Sequence, residues 1–237
     1  MSYQRALVIG ARSGVGQATA RALSATGVHV VASGSERDAT DPAQVATLLA
    51  EADPDLVVVA AGVRPLMARI EEQSWESFSA PWNTDVKIAF EVGRAALARP
   101  LRRNSTVVIV SSGAGLNPGG SPMSGGYAGA KRSQMFLGAY LQGAADARDL
   151  GIRFVTVAPH QFLVGTAIGE SAAAAYGAEV GLSGHDYMQQ RFPDPLDPAG
   201  VAHAIIEIVT DDDLRGAAVF DITAHGFEVL PSARAAV

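Results

Sequence analysis

Six short apolar runs, separated by longer stretches patterned as helices, leave few folds open to this chain. The runs are Arg5–Ile9 (RALVI), Val28–Ala32 (VHVVA), Asp55–Ala60 (DLVVVA), Thr106–Val110 (TVVIV), Ile152–Val157 (IRFVTV) and Ala217–Ile222 (AAVFDI). Helical stretches are expected over Val15–Ala25, Pro42–Ala52, Asp85–Ala98, Gly125–Ala147 and Ala199–Val209. Strands that are apolar on both faces are buried on both, and helical crossovers make their neighbours parallel. The fold class is therefore α/β: a doubly wound parallel sheet of six to seven strands with helices on both faces, three layers in all.

The chain has 237 residues, 48% of them hydrophobic, which is enough for one large core. Residues 1–230 are expected to form one domain, with the tail at 231–237 frayed. The net charge of −6 with scattered basic residues argues against nucleic acid or an anionic membrane as partner. Cysteine is absent, so disulfides and thiolate metal sites are excluded, and His29, His185, His203 and His225 lack metal-ligand spacing. No leader resembling a signal peptide precedes the first run, and apolar runs such as Leu56–Ala61 are too short for a bilayer. A cytoplasmic location is the expectation.

Open parallel sheets bind ligands beyond the C-terminal ends of their strands. The first run leads into GARSGVG, Gly10–Gly16, and then a helix. Glycines there permit a tight turn and close approach of a ligand, and the helix N-terminus offers free amides to a phosphate. The spacing is G-x-x-x-G-x-G. Further on, SGGYAGAKRSQ (Ser124–Gln134) sets Tyr127 four residues before Lys131 in a run of small residues. That spacing puts both side chains on one helix face. A free phenol, with a pKa of about 10, is a poor proton carrier at neutral pH, and a neighbouring ammonium stabilises its anion.

Five features in order resemble the short-chain dehydrogenase/reductase family. They are the glycine turn, VAAG (Val59–Gly62), Ser111-Ser112 ending a strand, YAGAK (Tyr127–Lys131), and Pro159 after the next strand. The likeness runs to about Gly226. It implies a three-layer Rossmann fold, a nicotinamide cofactor, and a homodimer or homotetramer packed through the long helices. It assigns proton transfer to Tyr127, tuning of Tyr127 and ribose contact to Lys131, and orientation of the substrate oxygen to Ser112. The cofactor would meet Gly10, Arg12, Ser13, Gly14, Val15 and Gly16 at the turn, and Ala60, Ala61 and Gly62 after the third run. Tyr127, Lys131, Pro159 and Thr166 would border its nicotinamide end. The small neighbours of Tyr127 fit a helix lying close to cofactor and substrate.

The chain departs from that family in three places. Where the family has a catalytic asparagine, Asp85 falls at the position, with Asn83 in reserve. After the second run, VASGSER leads at once to DATD (Asp38–Asp41), which implies a shortened third strand and places Asp38 and Ala39 near the adenine. No carboxylate ends the second strand. Ser33, Ser35, Arg12 and Arg37 can instead receive a 2′-phosphate, so NADP(H) is favoured over NAD(H), with Glu36 opposing if it turns inward. Finally, His160 replaces the glycine usual after the proline, and Thr166 comes late. Residues 165–195 are expected to form a substrate lid, with His160, Phe162, Tyr187 and Met188 as substrate contacts. Its apolar side chains favour an apolar ketone or alcohol as small-molecule substrate. Non-redox chemistry (dehydration, isomerisation or cyclisation) on the same fold is the alternative, and a nucleotide-sensing module without catalysis is the third reading.

Overall fold

The computed structural model describes residues 3–231. Six strands form where the apolar runs lie: β1 (Arg5–Ile9), β2 (His29–Ser33), β3 (Leu56–Val59), β4 (Thr106–Val110), β5 (Arg153–Pro159) and β6 (Val219–Thr223). A seventh, β7 (Gly226–Leu230), completes one sheet of order β2-β1-β3-β4-β5-β6-β7. The first six pair in parallel, whereas β7 turns back antiparallel to β6, with Thr223 opposite Gly226. That last strand escaped the sequence reading. It lies on the sheet edge, mostly exposed, and carries no apolar run; Phe227 alone packs on the core.

Alternate residues of each strand feed opposite faces of the sheet. Leu7, Ile9, Val57, Val59, Val107 and Ile109 are buried with residues of α2 (Pro42–Ala52), α4 (Lys87–Ala98) and α5 (Gly125–Asp146). Ala6, Val8, Leu56, Val58, Val108 and Val155 face α1 (Gly14–Ala25) and α8 (Pro198–Thr210) instead. The result is the expected three-layer Rossmann architecture, with an antiparallel edge added.

Three local expectations change. No shortened third strand forms between β2 and α2, and residues 34–41 make only turns. Asp38 folds back to accept the amide and hydroxyl of Thr40, and Asp41 caps α2, so eight residues suffice to cross the sheet end. The helix expected to begin at Asp85 begins earlier, as α3 (Trp75–Pro81) running through a π-turn (Trp82–Val86) into α4. Pro81 has no amide to donate and crowds the preceding turn, and the hydrogen bonding widens just after it. Residues 165–195 contain α6 (Ala167–Glu179) and α7 (Gly184–Arg191), where no helix had been expected. α6 is rich in Ala and Gly and α7 is mostly polar, so neither carries an apolar stripe, and capping by Thr166 and Ser183 sets their starts. The frayed tail expected over 231–237 lies, Pro231 apart, outside the described residues.

Candidate active site

A cavity of about 890 Å³ runs along the C-terminal ends of β1–β5, from the glycine turn to α6 and α7. Gly10 has φ +90°, and a Cβ built on it would stand 2.5 Å from the Ala61 amide nitrogen; a Cβ on Gly16 would stand 2.2 Å from the Gly10 carbonyl oxygen. These glycines let the turn fold flat between β1 and β3. Ser13 precedes α1 without capping it through its side chain, so the helix N-terminus faces the cavity with amides available for an anion. Val15 and Ala39 both line the wall while packing on the core. This cradle fits a dinucleotide pyrophosphate.

Beyond the turn, the wall carries Arg12, Ser35, Arg37 and Asp38. Arg12 donates to the Ser35 hydroxyl, and Arg37 pairs with Glu51 at 3.1 Å. Glu36 bends back to accept the Gly34 amide at 2.6 Å and does not line the cavity. That amide bond, with help from Arg12 and Arg37, holds the Glu36 carboxyl below its ordinary value. Asp38 is held low by the Thr40 hydroxyl and amide. Ser33 is buried, and its backbone carbonyl, not its hydroxyl, serves the turn by accepting from Gly10 and Ala11.

The structure brings Asp85, Ser112, Tyr127 and Lys131 to one stretch of this cavity. Lys131 is buried, with Nζ 3.0 Å from Asp85 Oδ2, 3.3 Å from the Val110 carbonyl oxygen and 5.4 Å from the centre of the Tyr127 ring. Burial pulls the ammonium down, but Asp85 and Tyr127 outweigh it, and Lys131 ends above its ordinary value of 10.5. Asp85 is fully buried; Oδ1 accepts the Val63 amide at 2.9 Å, and a Cβ on Gly62 would strike the carboxylate at 2.7 Å. Gln134, also fully buried, donates to the Asp85 carbonyl at 3.0 Å and holds the π-turn in place. Asn83 is exposed and donates to Ser79 in the preceding turn, away from the cavity.

The two serines divide the work at the end of β4. Ser111 donates to the Lys131 carbonyl at 2.7 Å and ties α5 to the sheet, whereas the Ser112 hydroxyl accepts the Ala114 amide at 3.2 Å at the cavity edge. The small residues of α5 have a different use from the expected one. A Cβ on Gly126 would meet the Phe78 carbonyl oxygen at 2.3 Å, and one on Gly129 would meet the Trp82 ring at 2.5 Å. They admit α3 and the π-turn, not a ligand.

At the far end, Pro159 closes β5, and Thr166 caps α6, its hydroxyl accepting the Gly169 amide at 3.1 Å. Phe162 and Tyr187 line the cavity within a ring cluster that includes Tyr176 and Phe192, at centre separations of 5.5–6.3 Å. Met188 does not join them; it lines a second cavity, with Val164, His185 and Pro195. Asp221 was missed by sequence reasoning. It accepts from or pairs with His160 at 2.6 Å across β5 and β6, and an aspartate inside an apolar strand was the available signal.

Two buried groups make the fold sensitive to alkali. Burial raises the Tyr3 phenol above its ordinary 10.0 despite the Thr106 hydrogen bond, and Lys131 is likewise raised. Groups raised in the folded state stabilise it fully below their unfolded values, and that stability is lost as pH rises through the folded values. The melting temperature should therefore fall steeply above about pH 10 in calorimetric scans, and less steeply in Tyr3→Phe.

The chain and its fold have counterparts among known proteins. An uncharacterized short-chain type dehydrogenase/reductase of Sinorhizobium fredii is 27% identical over 192 residues, covering 72% of this chain and 76% of that one. The fold matches a short chain dehydrogenase from Mycobacterium avium (TM-score 0.69, 21% identity, 97% of this chain and 85% of that one). It also matches sorbitol-6-phosphate 2-dehydrogenase from Erwinia amylovora (TM-score 0.77, 20% identity, 92% and 98%). The fold is thus shared with proteins described as short-chain dehydrogenases. A family model matches residues 6–132, more than half of the sequence, and by that match the chain belongs to the NAD dependent epimerase/dehydratase family.

Proposed function

We propose that this protein is an NADP(H)-dependent oxidoreductase that reduces a ketone, or oxidises the corresponding alcohol, on a mostly apolar small molecule. The convergence of Ser112, Tyr127, Lys131 and Asp85 on the cavity that begins at the glycine turn carries this reading. When bound, the nicotinamide supplies or accepts a hydride. In reduction, Tyr127 gives its phenolic proton to the carbonyl oxygen, and the Ser112 hydroxyl donates a hydrogen bond that steadies the charge developing there. Lys131 keeps a positive charge behind the phenol, and Asp85 holds that ammonium in place. The turn from Gly10 to Gly16 would hold the pyrophosphate, Ala60, Ala61 and Gly62 the adjoining ribose, and Asp38 the adenine side. Pro159 and Thr166 would border the nicotinamide.

The preference for NADP(H) rests on Arg12, Ser35 and Arg37 lining the wall while Glu36 is occupied by the Gly34 amide. Replacing both arginines (Arg12→Ala with Arg37→Ala) should raise KM for NADPH on the order of 10- to 100-fold and leave KM for NADH nearly unchanged. Equal effects on the two cofactors would remove the assignment. A dimer or tetramer through α4 and α5 is supported by exposed Phe90, Phe136 and Tyr140 on those helices.

Non-redox chemistry is the second reading, favoured by the His160–Asp221 pair on the same cavity and by the epimerase/dehydratase name of the matching family. Following reduced-nicotinamide absorbance over a panel of ketones and alcohols separates the two. Cofactor consumed in step with product supports oxidoreduction, and product formed at constant absorbance supports the alternative.

A further inference from the structure

His160 and Asp221 form a polar pair that the Ser–Tyr–Lys arrangement does not use. His160 leaves the end of β5 with its amide bonded to the Ile222 carbonyl at 2.8 Å, which fixes the backbone against β6. Its Nδ1 lies 2.6 Å from Asp221 Oδ2. The Asp221 side chain is 15% exposed, and its other oxygen is buried without a hydrogen-bond partner among the described residues. The imidazole is 44% exposed and lines the large cavity. It packs against Gly113, where an added Cβ would stand 2.6 Å from the His160 ring carbon Cδ2. Gly113 directly follows Ser112, so the ring sits one residue from the hydroxyl that receives the carbonyl oxygen.

A carboxylate against Nδ1 selects the tautomer with the proton on that nitrogen. In the neutral imidazole Nε2 is then an acceptor, on a wall that also carries Phe162 and Leu163. A ketone oxygen cannot satisfy an acceptor; a hydroxyl can. On the carbonyl chemistry proposed above, we infer that His160, positioned by Asp221, binds a hydroxyl on a carbon one or two bonds from the reacting carbonyl, so that the substrate class is the hydroxy ketones or the matching diols. His160 is the specificity residue, and Asp221 is the positioning residue that sets its tautomer. A site built to bond a hydroxyl discriminates against the analogue lacking it, because its own polar group is then left unpaired.

A matched pair of probes tests this: 2-hydroxyacetophenone and acetophenone, whose phenyl ring suits the aromatic wall, each with NADPH. Wild type should favour the hydroxylated ketone in kcat/KM by roughly 10- to 100-fold. His160→Phe should bring the ratio to about one, with His160→Asn as the second variant should Phe fail to fold. Asp221→Ala should lower the ratio mainly through KM, while Asp221→Asn, whose amide oxygen still accepts from Nδ1–H, should retain part of it. No preference in wild type, or the same preference in His160→Phe, overturns the inference. If neither ketone consumes NADPH, the oxidoreductase reading fails separately, and 15N NMR of the imidazole in the NADP+ complex decides this one. A shift of the His160 Nε2 resonance with 2-hydroxyacetophenone but not with acetophenone supports it; no shift with either overturns it.

Discussion

Tyr127→Phe should lower kcat for ketone reduction by roughly 10²- to 10⁴-fold while leaving NADPH affinity and melting temperature close to wild type. The phenol sits at the cavity wall, and its hydroxyl makes no hydrogen bond among the described residues, so its removal costs the fold little. On the proposed mechanism, what is lost is the proton delivered to the carbonyl oxygen. Single-turnover measurements with pre-bound NADPH separate chemistry from cofactor release. Activity retained within about threefold would remove Tyr127 from the proposed mechanism, since general acid catalysis is worth far more than that.

Asp85→Asn should be the most destabilising isosteric change at the site. The amide keeps the shape that Gly62 leaves room for and can still accept the Val63 amide. It removes the charge opposite Lys131, an ammonium only 7% exposed. Stranding one partner of a buried ion pair costs about 3–5 kcal/mol, a drop in melting temperature on the order of 10 °C for a chain of this length. Replacing both partners, as Asp85→Leu with Lys131→Met, should recover much of that loss, because two apolar side chains need no compensation. A melting temperature within about 1 °C of wild type for Asp85→Asn would show that the ammonium is solvated or neutral in the folded protein.

Asp85 also shows how far the site was legible. Counting along the helix placed it at the position where the resembling family has asparagine, and its neighbour Asn83 points to Ser79 instead. Its ion pair with Lys131 depends on a π-turn that follows Pro81, and hydrophobic periodicity does not register one extra residue in a turn. The glycines of α5 were readable as permitting a close approach, but which partner approaches was not: Phe78 and Trp82 do, from a helix about fifty residues earlier in the chain. Met188 and Tyr187 are adjacent in sequence yet face different cavities, because α7 turns one outward and one inward. Asp221 escaped notice because a single polar residue in a strand acquires its meaning only from the strand beside it.

Local order belonged to the sequence alone. Six apolar strands, the glycine turn after the first, and the four-residue spacing of Tyr127 and Lys131 follow from side-chain size, branching and helical period, which act between near neighbours. Tertiary structure decided the pairings across long separations: Asp85 with Lys131, Ser111 with the α5 backbone, His160 with Asp221, and β7 with β6. Each joins groups whose proximity is set by sheet order and helix packing. A charge or an acceptor declares its partner only after the low-dielectric interior has closed around both.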